Sequence, residues 1–250
     1  MMAPDAATRG RPALGTWLKL DTPETVEVIA AAGLDFVIID LEHAAIGLPT
    51  VSTMLSLARH CGIDGLVRVP DHSGALAAMM LDQGAAGVVV PNVETAAQAR
   101  AIVNAVRFAP WGRRSLSTSG RAGMWGAVDA QDYMSAQNAA TSVYLQIESA
   151  PAIRAAKDIA AVDGVTGLLV GPMDLTASHA AEHRDPDELP VLLHELERTC
   201  AQYGIRLGTA AGTDPGRARM LIERGYGLIA MGNDATMLGM AARGLCDAVR

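Results

Sequence analysis

The stretch VTGLLVGPMDL at residues 165–175 is a short apolar run that stops on an acidic residue, and YLQIE at residues 144–148 has the same form. A buried strand that presents a carboxylate at its carboxyl end is typical of the mouth of an α/β barrel. Glu148 and Asp174 are therefore candidate ligands of one divalent cation, because Mg²⁺ and Mn²⁺ prefer oxygen ligands. An alternative remains open, in which each acid caps the helix that follows it.

Similar apolar runs recur along the chain with amphipathic stretches between them, which is the pattern of repeated βα units. Runs that are apolar throughout are typical of parallel strands buried on both faces. We therefore predict a single (β/α)8 TIM barrel over residues 1–250, with a loose N-terminus at 1–12 and a closing helix at 234–250. A doubly wound open sheet is the alternative, but no GxGxxG follows the first strand. The predicted strands are residues 14–20, 35–40, 65–69, 87–90, 142–147, 165–170, 205–209 and 227–231.

The composition narrows the class of protein. Half of the 250 residues are hydrophobic and the net charge is −7, which argues against a nucleic acid or an anionic membrane as a partner. Three cysteines without a CxxC spacing argue against a disulfide framework or a zinc site. No apolar run reaches the roughly 18 residues of a membrane span, and the first residues lack the apolar core of a signal peptide. These features predict a cytoplasmic protein.

Several polar residues fall where predicted strands end, which is where α/β barrels place their active sites. His43 could act as a general base near neutral pH, although a lone histidine is more often structural. Arg68 leaves an apolar strand, where a substrate oxyanion or a carboxylate of the protein would serve equally well as its partner. Gly171 would let backbone N–H groups approach a substrate carboxylate at a helix start, or would only permit a tight turn. The other polar residues at these ends are Glu42, Gln146, Asn233 and Asp234.

One long segment shows no period that indicates a helix or a strand. Residues 108–126 are rich in Gly, Ser and Arg. Long segments without secondary structure in compact domains are commonly active-site loops. We therefore expect this segment to lie at the active site.

Five segments, in order along nearly the whole chain, resemble the HpcH/HpaI aldolase family of the phosphoenolpyruvate/pyruvate superfamily. The resemblance implies a TIM barrel and a class II, metal-dependent aldolase. Such an enzyme cleaves a 4-hydroxy-2-oxo acid reversibly to pyruvate and an aldehyde through a stabilised pyruvate enolate. The segments are GTWLKLDTPETVEVIAAAGLDFVIIDLEHA, VRVP, LDQGAAGVVVPNVETAAQAR, YLQIES and GLLVGPMDL.

The resemblance also implies roles for individual residues. The glutamate of the QxES segment and the aspartate of the GPxDL segment hold the metal, which would be Mg²⁺ or Mn²⁺, with Co²⁺ as a further candidate; these are Glu148 and Asp174. His43 takes part in acid/base chemistry, and Arg68 faces the keto oxygen of pyruvate. Asp82 acts with the histidine across a subunit contact. The residues implied to line the substrate site are Gln146, Gly171, Pro172 and Met173.

The chain departs from the family pattern at two positions. Met173 stands where relatives carry a small residue beside the pyruvate site, and Ser115 replaces a glycine in the segment that shapes the acceptor pocket. Lys19 and Lys157 are the only lysines. We expect neither to stand at a strand end in a position to form a Schiff base, which argues against a class I aldolase.

The resemblance implies assembly as well, because family members form hexamers built from trimers. The last helix, here residues 234–249, packs on a neighbouring subunit in such assemblies. Two other functions remain open. The chain could be a lyase or synthase of related chemistry, such as citryl-type cleavage or citrate-synthase-like condensation, or it could be a non-catalytic barrel that binds a 2-oxo acid.

Overall fold

Eight parallel strands close into a barrel in the order in which they occur along the chain. The computed structural model describes residues 11–183 and 185–250. The predicted TIM barrel is confirmed, and every predicted strand is found within three residues of its expected bounds. The strands are β1 (Ala13–Leu18), β2 (Phe36–Asp40), β3 (Asp64–Arg68), β4 (Gly87–Val90), β5 (Ser142–Ile147), β6 (Gly167–Val170), β7 (Arg206–Gly212) and β8 (Leu228–Asn233).

Ten α-helices lie in the described ranges, and a 3₁₀ turn at Met124–Gly126 interrupts the longest connection. Two of these helices lie between β6 and β7. In the described part of the chain, no helix is both long enough and apolar enough to span a bilayer. The helices are α1 (Thr25–Ala31), α2 (Leu48–Cys61), α3 (Ala75–Asp82), α4 (Ala96–Val106), α5 (Ala130–Ala140), α6 (Ala150–Ala160), α7 (Pro172–Ala181), α8 (Glu188–Tyr203), α9 (Pro215–Glu223) and α10 (Asp234–Val249).

The predicted loose N-terminus at residues 1–12 falls outside the described residues, except for its last two. Arg11 forms an ion pair with the buried Asp35, in which the Nη2 to Oδ1 distance is 2.6 Å. The described end of this segment is therefore tied to the residue that precedes β2.

Two hydrophobic layers hold the barrel together. Side chains alternate along each strand, so Phe36 and Ile38 of β2 pack inside the barrel while Val37 and Ile39 pack against the helices. Gly15 of β1 leaves room for the interior layer, because a Cβ there would lie 2.4 Å from the Phe36 ring. The same alternation decides which polar side chains at the strand ends face the barrel axis.

The direction of the strands defines two ends of the molecule. All eight carboxyl ends lie at one end, which we call the mouth, and all eight amino ends lie at the other, which we call the floor. A segment that connects a strand to the next helix lies at the mouth, and one that connects a helix to the next strand lies at the floor.

Candidate active site

Glu148 is a buried carboxylate one residue beyond β5, at the mouth. Its Oε1 accepts a hydrogen bond from the backbone N–H of Asn92 at 2.6 Å, and its Oε2 accepts one from Nε2 of Gln146. A Cβ on Gly171 would lie 2.9 Å from Oε2 of Glu148 and 3.1 Å from Nε2 of Gln146. The glycine therefore makes room for this carboxylate. The other amide atom of Gln146, Oε1, is buried and has no hydrogen-bond partner among the described residues.

Asp174 lies in the first turn of α7, directly after β6. Burial raises the pKa of Glu148, and the negative charges of Glu42 and Asp174 raise it further. The N–H of Asn92 and the charge of Arg68 lower it but do not offset these effects. The negative charge of Asp174, which follows the strand next to β5, thus acts on Glu148, as does that of Glu42.

Arg68, the last residue of β3, is held between two carboxylates. Its Nε and Nη2 donate to Oδ1 and Oδ2 of Asp40, at 2.9 and 2.7 Å, and its Nη1 lies 2.9 Å from Oε2 of Glu42. The guanidinium stacks on Trp17, with its carbon 4.4 Å from the ring centroid. Hydrogen bonds to Asp40 occupy two of its five N–H donors, and Nη1 faces Glu42 as an ion pair, so N–H donors remain on both terminal nitrogens. Arg68 is therefore fixed in orientation and still has donors for a substrate oxygen.

Asp40 takes part in most of these contacts, and its side chain is fully buried at the end of β2. Besides Arg68, it accepts hydrogen bonds from the backbone N–H groups of Glu42 and His43, at 3.1 and 3.2 Å, and from Nζ of Lys19 at 2.5 Å. Burial by itself would raise the pKa of Asp40, but the hydrogen bonds from Arg68 and Lys19 outweigh it and lower the pKa to about 2. The carboxylate is therefore ionised over the working pH range of most enzymes.

Lys19 follows β1 directly and therefore stands at a strand end, which corrects the position expected for it; its part in Schiff-base chemistry stays a matter of prediction. The reason is that β1 ends at Leu18, which places Lys19 at the mouth, where Asp40 binds its ammonium. The carboxylate of Asp234 accepts hydrogen bonds from the backbone N–H groups of Lys19 and Leu20, at 2.9 and 3.1 Å. Asn233 caps α10 by accepting a hydrogen bond from the N–H of Thr236. The polar residues after β8 are thus used for anchoring and capping.

His43 lies at the mouth with an exposed imidazole, whose Nε2 is 3.7 Å from Oε2 of Glu42. Its backbone is fixed by Asp40. Pro172 and Met173 form the start of α7, where Met173 is 83% exposed. The first N–H groups of a helix have no acceptor within the helix, so this turn can receive a carboxylate.

The structure does not bring Asp82 together with these residues in one chain. Asp82 ends α3 and therefore lies at the floor, where its Oδ1 pairs with Nη2 of Arg114 at 2.5 Å. The segment 108–126 lies at the floor as well: the N–H of Ala122 bonds to the carbonyl of Asp82, and Arg121 bonds to Ser56 of α2. The prediction that this segment lies at the active site is wrong for the site of its own chain. The physical reason is that it connects a helix to the next strand.

The residues at the mouth fit a hard divalent cation. Four carboxylates (Asp40, Glu42, Glu148, Asp174) face two cationic groups (Lys19, Arg68), which leaves a formal charge of −2 that one divalent cation would neutralise. Among residues 11–183 and 185–250, no three His, Cys, Asp or Glu side chains are grouped to hold a metal ion by themselves. A cation at Glu148 and Asp174 would therefore keep positions open for water and substrate oxygens, as Mg²⁺ usually does.

Sequence reasoning missed two residues of this site. Asp40 has the signal that identified Glu148 and Asp174, because DFVIID is also an apolar run that stops on an acid. Asn92 has no comparable signal, since it contributes its backbone N–H and adopts a left-handed conformation with φ of 55°.

Comparison with known proteins gives one consistent result. The profile of the HpcH/HpaI aldolase/citrate lyase family matches residues 13–241. The 2-dehydro-3,6-dideoxy-6-sulfogluconate aldolase of Pseudomonas putida is 34% identical over 95% of this chain and 92% of its own. The crystal structure of an HpcH/HpaI aldolase from Desulfitobacterium hafniense superposes with a TM-score of 0.89 at 27% identity, over 97% of this chain and 94% of that one. The citrate synthase SbnG superposes with a TM-score of 0.83 at 27% identity, over 97% and 94%. The chain belongs to the HpcH/HpaI aldolase/citrate lyase family.

Proposed function

We propose that the chain is a divalent-metal-dependent pyruvate aldolase that cleaves a 4-hydroxy-2-oxo acid reversibly to pyruvate and an aldehyde. The observation that carries this proposal is the pair of acids that follow β5 and β6, together with an arginine at the end of β3 that is fixed between two carboxylates and whose charge acts on Glu148. Glu148 and Asp174 would hold Mg²⁺ or Mn²⁺. When bound, the ion supplies Lewis-acid stabilisation of the negative charge that develops on the substrate.

Arg68 binds and orients the pyruvyl half in this proposal. Its remaining N–H donors face the keto oxygen, where negative charge grows as the carbon–carbon bond breaks. Asp40 and Glu42 fix the guanidinium before substrate arrives, so little reorganisation is needed during the reaction. The first turn of α7, with Gly171 and Met173, receives the substrate carboxylate, and Gln146 keeps Glu148 in place.

His43 is the general base and acid for the C4 hydroxyl in this proposal. In cleavage it accepts the proton of the C4 hydroxyl, and the C3–C4 bond breaks. The electron pair of that bond forms the enolate of pyruvate, the aldehyde leaves, and C3 of the enolate then takes up a proton to give pyruvate. In synthesis pyruvate loses a methyl proton to form the enolate, the enolate carbon attacks the aldehyde, and His43 returns the proton to the new hydroxyl. The open position of His43 at the mouth leaves room for the C4 end of a substrate.

Removal of divalent cations tests the proposal. Treatment with EDTA is expected to abolish the release of pyruvate from a 4-hydroxy-2-oxo acid, and Mn²⁺ or Mg²⁺ in excess is expected to restore it. Lactate dehydrogenase and NADH would measure pyruvate after the chelator has been removed. Full activity in the presence of chelator would overturn the metal-dependent mechanism.

A second candidate is condensation of an oxaloacetate-derived enolate, which the superposition on the citrate synthase SbnG favours. The same two acids and arginine would serve an enolate of either origin. Assays with oxaloacetate and with pyruvate as the enolate donor separate the two reactions. A barrel that binds a 2-oxo acid without catalysis would show no exchange of the methyl protons of pyruvate with either metal.

We further propose that the chain assembles through α10, in a trimer or a hexamer. The C-terminal half of this helix, residues 241–250, is exposed throughout, and its large apolar side chains face outward, including Leu245 at 72% and Val249 at 89% exposure. Such a surface is typical of a subunit contact. A contact of this kind would also let Asp82, on the floor of one barrel, act at the mouth of another.

Leu245→Asp is expected to lower the assembly state, because it places a charge in the apolar face of α10. Sedimentation equilibrium would measure the mass of the variant, of the native protein and of Gln202→Asp, a control on the exposed surface of α8. A native protein that sediments as a monomer at micromolar concentration would contradict the proposed assembly.

A further inference from the structure

The peptide group that joins Pro91 to Asn92, just after β4, is hydrogen-bonded at both of its polar ends. Its N–H, which belongs to Asn92, donates to Oε1 of Glu148 at 2.6 Å. Its carbonyl oxygen, which belongs to Pro91, lies 2.6 Å from Nε2 of His72. A carbonyl oxygen can only accept, so Nε2 is the donor, as it is in the imidazolium and in one of the two neutral tautomers. A peptide group is planar, with its N–H and C=O on opposite sides, so the histidine and the glutamate together fix the orientation of one rigid plane.

The orientation that His72 supports is not the one that the backbone of Asn92 would adopt by itself. Asn92 has a φ of 55°, in the left-handed region that few residues with a side chain adopt, although asparagine tolerates it better than most. A half-turn of the peptide plane would change this φ to about −125°, in the ordinary extended region. The same half-turn would point the N–H away from Glu148. The hydrogen bond from His72 therefore helps to hold the peptide in its less favourable orientation.

Glu148 depends on this N–H for the position of one of its two oxygens. Gln146 donates to Oε2 and Asn92 donates to Oε1, so the plane of the carboxylate is fixed and lone pairs remain on both oxygens for a cation. The N–H of Asn92 also lowers the pKa of Glu148, against the effect of burial, which favours the charged form that binds a metal ion. His72 lies between β3 and α3, so it connects the end of a third strand to this carboxylate.

We propose that His72 is a positioning residue, which holds the peptide between Pro91 and Asn92 toward Glu148 and thereby raises the affinity of this carboxylate for a divalent cation. Groups that orient a metal ligand typically change metal affinity about 10- to 100-fold when they are removed. The inference rests on the metal-binding role of Glu148 in the proposed function. His72 lies outside the five segments that carry the family resemblance.

Titration with Mn²⁺, followed by electron paramagnetic resonance, tests the proposal without any measurement of turnover. His72→Phe keeps a ring and removes the donor, so we expect the affinity for Mn²⁺ to fall about 10- to 100-fold. Pyruvate release should then need a correspondingly higher concentration of Mn²⁺, while kcat at saturating Mn²⁺ should stay close to the native value. His72→Gln retains a side-chain N–H donor and is expected to keep most of the affinity. His60→Phe, at an exposed histidine of α2, is the matched control.

A pair of variants at position 92 tests the orientation of the peptide independently of His72. Asn92→Gly and Asn92→Val both keep the backbone N–H, and both remove the side-chain amide, whose Nδ2 lies 3.4 Å from Oε1 of Glu42. Glycine adopts a φ of 55° readily, whereas a β-branched residue does so only with strain. Asn92→Val is therefore expected to bind Mn²⁺ about tenfold more weakly than Asn92→Gly.

Native affinity for Mn²⁺ in His72→Phe overturns the proposal, because the histidine would then only tie two loops together. An equal loss of affinity in His72→Phe and His72→Gln overturns it too, since the donor would not matter. If urea unfolding shows that His72→Phe does not fold, equal affinities of the two variants at position 92 overturn it. Failure of the aldolase function is recognised separately, as the absence of deuterium exchange into the methyl group of pyruvate in the native protein, which leaves the Mn²⁺ titrations unaffected.

Discussion

Glu148→Gln is expected to lower kcat/KM for pyruvate release by about 1000-fold, because a neutral amide cannot supply the charge that holds a divalent Lewis acid. The fold should be unaffected. Glutamine has the same size as glutamate. The charged carboxylate that it replaces is unfavourable in the folded protein, because burial and the charges of Glu42 and Asp174 raise the pKa of Glu148. The metal-free variant should therefore unfold at the same urea concentration as the native protein or at a higher one.

Titration with Mn²⁺, followed by electron paramagnetic resonance, would measure the lost affinity directly. Glu182→Gln is a suitable control. It removes an acid at the end of α7 that pairs with Arg154 on the surface, so binding of Mn²⁺ should not change. Native affinity for Mn²⁺ in Glu148→Gln would show that the ion binds elsewhere.

Arg68→Lys is the second substitution with a large expected effect. A lysine keeps the positive charge but cannot reach both oxygens of Asp40 and the carboxylate of Glu42 at once, so no fixed donors remain for the keto oxygen. The loss of such a donor typically costs about 2.7–4 kcal/mol of barrier, or about 100- to 1000-fold in rate. The measurement is exchange of the methyl protons of pyruvate for deuterium, followed by NMR in the presence of Mn²⁺.

The choice of lysine over alanine follows from the burial of Asp40. Arg68→Ala would leave this fully buried carboxylate with Lys19 as its one side-chain partner among residues 11–183 and 185–250. The removal of one partner of a buried ion pair costs about 3–5 kcal/mol of stability. Arg154→Lys, which changes an arginine on the surface, is the control. Exchange at the native rate in Arg68→Lys would contradict the role given to the guanidinium.

The strands could be predicted because a parallel barrel buries both faces of each strand, which makes residues 87–90 and 142–147 apolar throughout. The closing helix, predicted at residues 234–250, is found at Asp234–Val249. Glu148 and Asp174 could be singled out as candidates because an acid after such a run has few structural reasons to be there. Asp40 required the structure, since its importance lies in five contacts with residues from three separate parts of the chain.

The misplaced segment 108–126 shows where sequence reasoning used the wrong criterion. Its length and composition suggested an active-site loop, but chain direction decides its position. It follows α4 and precedes the helix that leads into β5, so it must lie at the floor of its own barrel. The same argument, applied to the end of α3, places Asp82 there. In both cases the order of strands and helices along the chain is sufficient to show at which end of the barrel the segment or residue lies.

The hydrogen bonds between Asp234 and the backbone of Lys19 and Leu20 have a mechanical consequence. Asp234 is the first residue of α10, so a displacement of this helix along its axis is transmitted directly to the segment that carries Lys19. A contact that moves the outer turns of α10 would thus change the distance between the ammonium of Lys19 and the carboxylate of Asp40, which lie about one helix length away. Under the proposed assembly through α10, association between copies of the chain would be connected with the proposed catalytic pocket through the side chain of Asp234.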